Sequence, residues 1–126
     1  NKTLKNRTAQ NFIESLEIVT TSSKQLVNNL SGGNQQKVVL ARWLNHNIKV
    51  LLLDEPTKGI DVGAKEQLYD LFDELSKEGL SIILASSELA EIRRCCHRVA
   101  ILKDKKIQKI VSLEKTSDKE ILSLAM

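Results

Sequence analysis

The amino-acid sequence predicts an α/β fold, a mostly parallel sheet layered with helices and finished by a small antiparallel hairpin. Three observations carry that prediction. Residues 48–53 and 80–85 form short apolar runs, too brief for lone helices and rich enough in apolar side chains for strands buried on both faces. Between them Leu68, Leu71, Phe72 and Leu75 recur at i, i+3, i+4 and i+7. That is the stripe of an amphipathic helix, so the order is strand–helix–strand, which implies a layered parallel sheet. Near the end, residues 99–102 and 107–111 flank Asp104-Lys105-Lys106 and read as a hairpin.

The elements follow in order. Ala9, Phe12, Ile13 and Leu16 predict a short amphipathic helix over about residues 7–17, and Thr20-Thr21-Ser22-Ser23 a polar loop. Ser31-Gly32-Gly33 breaks the chain and starts a second helix through Gln35, Val38, Val39, Arg42 and Trp43, ending near Asn45-His46-Asn47. The first strand lies between Asn47 and Asp54. Residues 59–63 are a turn, and Gly79 ends the helix that follows. Ser86-Ser87-Glu88 opens a short helix to about Arg94. The hairpin turn holds no glycine, and a tight I′ turn is awkward for Lys105, so a looser connection is expected. A last helix over about residues 117–125 closes the chain.

Composition sets bounds. A length of 126 residues fits one domain with a modest core. The net charge of +3 neither demands nucleic acid nor excludes an anionic ligand. The longest apolar runs are about six residues against the roughly 20 needed to span a bilayer, and no signal-peptide pattern opens the chain, so membrane association must come through a partner. The chain opens on Asn1 rather than Met, which implies sequence upstream. Adjacent Cys95 and Cys96 would close a strained ring and argue for a reducing cytoplasm. With His97 they form a cluster, but it lacks the C-x-x-C spacing and a second ligand pair of a metal site. Packing at a helix end is the simpler reading.

Two stretches carry chemistry. Leu30-Ser31-Gly32-Gly33-Asn34-Gln35-Gln36 sets a serine and two glycines at a helix start, where free N–H groups and the positive end of the dipole can meet an anion. Ser31 also reads as a simple N-cap followed by flexible glycines. Each glycine, however, costs roughly 1 kcal/mol of helix propensity relative to alanine, and close approach to a phosphate accounts for them better. Asp54-Glu55 ends the first strand, at the edge of a parallel sheet where ligands bind. One carboxylate there can hold Mg²⁺ and the other can orient water; both also read as plain surface carboxylates. No G-x-x-x-x-G-K-[ST] phosphate loop occurs.

Together these stretches resemble the signature and Walker B motifs of the ABC-transporter ATPases. Asn34 stands where most of them have Gln, and the form Gly-Gly-Asn-Gln-Gln-Lys is similar to the second ATPase domain of the fused subunits that import ribose, galactose, xylose and similar solutes. Residues 56–65 resemble that subfamily's D-loop region, 80–88 its switch region and 117–126 its C-terminal helix, which places the missing sequence on the N-terminal side. The resemblance covers nearly all of the chain from Phe12 onward and is most specific over residues 30–91.

The resemblance implies a partial P-loop NTPase fold. Residues 1–47 would be part of the helical subdomain, 48–111 the catalytic core and 112–126 the C-terminal helix, with the Walker A half missing. It implies ATP and Mg²⁺ as cofactors. Asp54 would hold the metal, Glu55 would polarise the attacking water, and Ser31, Gly32, Gly33 and Asn34 would face the nucleotide. Asp61 would lie in the D-loop that crosses to the opposing ATPase domain of the same full-length chain. Ser87 takes the place of a switch histidine that contacts the γ-phosphate. A hydroxyl can donate there but cannot carry imidazole's charge, which implies two unequal composite sites. Read from the residues alone, Ser87 also caps the next helix, with Glu88 and Glu91 favouring its positive end.

Further partners implied are transmembrane permease subunits and, indirectly, a solute-binding protein, at the cytoplasmic face of the bacterial membrane. Nucleic acid is not expected. A non-transport ABC ATPase acting on nucleic acid would show long heptad segments or a basic face, and neither is visible. An interaction module presenting Gln35, Gln36 and Arg42 on a recognition helix leaves Asp54-Glu55-Pro56 unexplained.

Overall fold

A computed structural model describes residues 2–126. The chain divides into two compact units, one ending at Ile83 and the other running over Leu84–Met126.

The first unit holds α1 (Lys2–Ser15), a 3₁₀ turn (Val27–Asn29), α2 (Gly32–Leu44), β1 (Val50–Asp54) and α3 (Val62–Lys77), and it ends within β2 (Ser81–Ala85). α1 begins earlier than the predicted residue 7 and stops where Glu17 turns left-handed at φ 50°. The Ile18 N–H then reaches back to the Ile13 carbonyl at 2.9 Å, closing the helix end. Leu16 and Ile18, just past the helix, are buried.

α3 matches its predicted stripe. Leu68, Leu71, Phe72 and Leu75 are all buried, and Tyr69 joins them. Gly79 ends the helix at φ 100°, with the Leu80 N–H donating to the Leu75 carbonyl at 3.0 Å. In α2 the buried positions are Gly33, Lys37 and Leu40, while Val39 and Trp43 are exposed. A lysine therefore sits in the middle of the buried face. Its ammonium donates to the Glu17 carbonyl at 3.2 Å and reaches Gln67 Oε1 at 3.5 Å, so the charge is met by oxygens while the stem fills the interior.

β1 and β2 pair in a small parallel sheet joined through α3, and the Ser81 N–H donates to the Lys49 carbonyl at 3.0 Å beside it. The expectation that β1 is buried on both faces fails. Leu51 and Leu53 are buried, but Val50 is exposed and Leu52 is 71% exposed. A parallel strand is dry on both faces only where other elements cover both, and the described residues cover one.

The second unit holds α4 (Leu89–Cys95), β3 (Arg98–Lys103), β4 (Lys106–Ser112) and α5 (Asp118–Ala125). Ile101, Val111, Leu113 and Ile121 form its core, with Leu89, Ile92, Cys96, Val99 and Leu124 packed against them. The Arg93 guanidinium donates to the carbonyls of Leu113 and Thr116 and pairs with the Asp118 carboxylate, which fastens the turn before α5 to α4.

β3 and β4 pair antiparallel from Arg98 opposite Ser112 to Lys103 opposite Lys106, with an irregularity between Ile101 and Leu102. The expected looser connection is therefore wrong. Only Asp104 and Lys105 join the strands, at φ 51° and 62°, the signs an I′ turn requires. The ladder and its twist impose the turn, and Lys105 accepts an unfavourable backbone to complete it. A left-handed non-glycine residue costs roughly 1–2 kcal/mol, part of which glycine would return as lost chain entropy. Lys105→Gly is thus expected to raise stability by about 0.5–1 kcal/mol, and Lys105→Val to lower it, as read by chemical denaturation.

Candidate functional site

Ser31 precedes α2 in extended conformation (φ −61°, ψ 157°) and caps it: its Oγ accepts from the Asn34 N–H at 3.4 Å. The Asn34 side chain adds a second donor to the same oxygen, Nδ2 at 2.8 Å, while its Oδ1 accepts from the Val19 N–H at 2.8 Å. Gln35 Nε2 donates to the Leu30 carbonyl at 2.9 Å, fixing the approach to the cap. The first turn of α2 contains no acidic residue, so the positive end of its dipole is not compensated from within. Asn34, expected to face nucleotide, is engaged by the protein on both ends of its amide.

The two glycines of this turn are not equivalent. A Cβ on Gly33 would lie 2.8 Å from the Ala64 Cβ, closer than carbon atoms can approach. A Cβ on Gly32 would find its nearest neighbour, Ile60 Cγ1, at 3.9 Å, an ordinary contact. Packing against the start of α3 thus accounts for Gly33, and the reading that phosphate alone requires both glycines is corrected to that extent. Gly32 is exposed, and nothing packed against it explains its missing side chain.

The structure therefore brings Ser31–Asn34 together with residues 60–64. In that segment Asp61 is the N-cap of α3, its Oδ1 accepting from the Ala64 N–H at 3.0 Å. The same loop begins at the end of β1. Asp54 is exposed there, with hard carboxylate oxygens of the kind Mg²⁺ takes beside water and phosphate. Glu55 is half-buried and left-handed at φ 46°, an unfavourable conformation for glutamate of the sort that gathers at functional sites. Pro56 and Thr57 behind it are buried.

Ser87 belongs to the second unit, just before α4. It is not the helix cap. The N-cap is Glu88, which makes no side-chain cap bond, and Ser86 Oγ accepts from the Glu88 N–H at 3.0 Å. Cys96 packs into the second unit's core, where burial, followed by the nearby Glu91 carboxylate, pushes its thiol pKa up. A thiol held protonated is a poor metal ligand, and among the described residues no group of three or more His, Cys, Asp or Glu side chains is placed to hold a metal ion.

Sequence reasoning missed Val19, Ala64 and Lys37. Ala64 offered a signal, a small residue one turn into a capped helix. Val19 offered none, because only its backbone N–H takes part.

A family model described as ABC transporter matches residues 2–58. Over 114 residues the chain is 46% identical to the arabinose import ATP-binding protein AraG of Yersinia pestis, an alignment covering 90% of this chain and 22% of that protein. It is 45% identical over 113 residues to the galactose/methyl galactoside import ATP-binding protein MglA of Clostridium perfringens, again covering 90% of this chain and 22% of the relative. The chain thus spans less than a quarter of the length of these relatives. Among solved structures, the dimeric ATP-binding cassette MJ0796 in a post-hydrolysis state with ADP and Pi is 27% identical, with a TM-score of 0.72 covering 85% of this chain and 46% of that one. The ATP-binding cassette MJ1267 is 19% identical, with a TM-score of 0.80 covering 95% and 49%. The fold is part of the ABC ATPase cassette, a partial P-loop NTPase architecture.

Two outcomes follow. Gly33→Ala should destabilise the protein by about 1–3 kcal/mol through overpacking, with Ala64→Gly added to it restoring much of the loss, whereas Gly32→Ala should be neutral or stabilising; denaturant unfolding of the three variants checks this. Alkylation of Cys96 by iodoacetamide, followed by mass spectrometry, should reach half its maximal rate at a higher pH than a free cysteine, because the reactive thiolate appears only above the raised pKa. Glu91→Gln removes the neighbouring anion and should move that midpoint down.

Proposed function

We propose that this chain is part of the ATP-binding subunit of a bacterial sugar importer, an ABC ATPase that couples ATP binding and hydrolysis to solute uptake. The observation that carries this reading is the serine-capped start of α2, free of acidic residues, packed through Gly33 against the start of α3, which follows the loop that leaves Asp54 and Glu55. Its likeness to arabinose and galactose import ATP-binding proteins supports sugar as the solute class.

In this reading Ser31, Gly32 and the first N–H groups of α2 meet the γ-phosphate of ATP held on the phosphate loop of the opposing ATPase domain. Asp54 and Glu55 serve the second composite site, and Ser87 is proposed separately as a hydroxyl donor to a γ-phosphate. Asp54 holds Mg²⁺, which neutralises phosphate charge when bound, and Glu55 orients the attacking water. Asp61 faces the opposing domain across the D-loop. Residues 1–47 belong to the helical subdomain, 48–111 to the catalytic core and 112–126 to the C-terminal helix. No helix among the described residues is long and apolar enough to cross a membrane. The proposed subunit works at the cytoplasmic face through permease subunits, which a solute-binding protein supplies, a reading supported by its likeness to import ATP-binding proteins.

Ser31→Arg in the full-length protein tests this. A bulky cation at the cap blocks approach to the helix start but leaves nucleotide binding to the phosphate loops untouched. Steady-state ATPase activity of the assembled transporter should fall by about a hundredfold, the order expected when one phosphate-stabilising contact is removed, while affinity for a fluorescent ATP analogue stays within error. Normal transport by this variant would refute the assignment.

A further inference from the structure

We propose that Asn34 is a positioning residue that turns the Ser31 hydroxyl into an obligate hydrogen-bond donor. This rests on the reading that Ser31 meets a phosphoryl oxygen, and deepens it. The orientation of the Asn34 amide is fixed by its neighbours. The Val19 N–H can only donate, so the atom it meets at 2.8 Å is the carbonyl Oδ1. Nδ2 is then the atom facing Ser31 Oγ at 2.8 Å, and the Asn34 backbone N–H points at the same oxygen at 3.4 Å. A hydroxyl has one proton and two lone pairs. Both lone pairs of Ser31 face donors, so its proton has nowhere to go but outward, toward an acceptor arriving at the helix start.

A serine cap without the second donor could turn its proton inward or share it with water. Here the choice is made before the ligand arrives, which removes a reorganisation cost from the step in which charge is stabilised. The acceptor that fits is an anionic oxygen, because the first turn of α2 carries no carboxylate of its own to take the proton. The device spans the chain from Val19 to Asn34, so the register of the loop after α1 sets the direction of a proton at the start of α2.

Asn34→Asp in the full-length transporter separates this from a packing role. Aspartate has nearly the same shape, still accepts from the Val19 N–H and remains favourable in a first helical turn. It replaces the donor facing Ser31 with an acceptor, so the Ser31 proton turns inward. ATPase kcat should fall about a hundredfold, of the order seen when a preorganised donor is lost, with KM for ATP changed less than twofold. In a Ser31→Ala background, itself slow, the same change should alter kcat less than threefold, because no proton is left to redirect. If Asn34→Asp is equally damaging in both backgrounds, its added charge or local structure acts directly and the positioning inference is overturned, while Ser31 keeps its role. If Ser31→Ala turns over normally, both the inference and the reading of Ser31 as a phosphate donor fall.

Discussion

The close approach of Gly33 to Ala64 is the constraint on which the rest of the first unit depends. With 2.8 Å between a hypothetical Gly33 Cβ and the Ala64 Cβ, the starts of α2 and α3 meet where only a hydrogen and a methyl group fit. One turn further along, Lys37 of α2 reaches Gln67 of α3. The two helices therefore meet through Gly33 and Lys37 on one side and Ala64 and Gln67 on the other, with Leu40 and Leu68 both buried. Lys37 also holds the carbonyl at the left-handed end of α1, so one side chain joins three helices. Tight backbone approach at one end and a satisfied buried ammonium at the middle specify the packing more narrowly than apolar burial could, since hydrophobic contact is not directional.

Charge at helix starts sharpens the picture. α3 is capped by Asp61, α4 by Glu88, with Glu91 in its first turn, and α5 carries Asp118 and Glu120 in its first turn. Each of these places a carboxylate near its own positive end, which stabilises it by about 0.3–1 kcal/mol. α2 does not: it is capped by neutral Ser31 and runs on through Gly32, Gly33, Asn34 and Gln35. Two glycines and a dipole without a nearby carboxylate together make it a helix start that local stability alone would not select.

Much of this was legible in the sequence. The apolar stripe of α3, its stop at Gly79, the two short strands and the hairpin all follow from periodicity and turn chemistry, and the serine cap of α2 follows from residue type. Five features were not, each for a physical reason. The open face of β1 is invisible because an apolar run reports what a side chain prefers, not what covers it. The left-handed Lys105 was read as unfavourable, correctly, but ladder pairing on both sides overrode the preference. Lys37 escaped because periodicity counts apolar residues, and a long stem ending on a carbonyl fills a core position as well as leucine does. The distinction between Gly32 and Gly33 depends on Ala64, and the tether of Asn34 on a backbone group fifteen positions away in the sequence. Such pairings appear only once the chain is folded.

The loop from Glu55 to Ala64 shows how these constraints bear on a site. The chain leaves β1 at Asp54, reverses through left-handed Glu55 and Gly59, and enters α3 at Asp61. Inside the loop the Lys58 N–H donates to the Glu55 carbonyl and the Ile60 N–H to the Thr57 carbonyl, with Pro56 and Thr57 buried beneath. A loop this short, internally bonded and anchored in the interior has little freedom to bend. Its far end is the surface against which Gly33 packs. Displacement of the α2 start must therefore either break the Gly33–Ala64 contact or carry the loop with it, and through the loop the backbone of Glu55. Close-packed groups transmit displacement because they cannot absorb it. The structure thus gives the start of α2 and the strand-end carboxylates a direct mechanical connection, made of one glycine, one alanine and a strained turn.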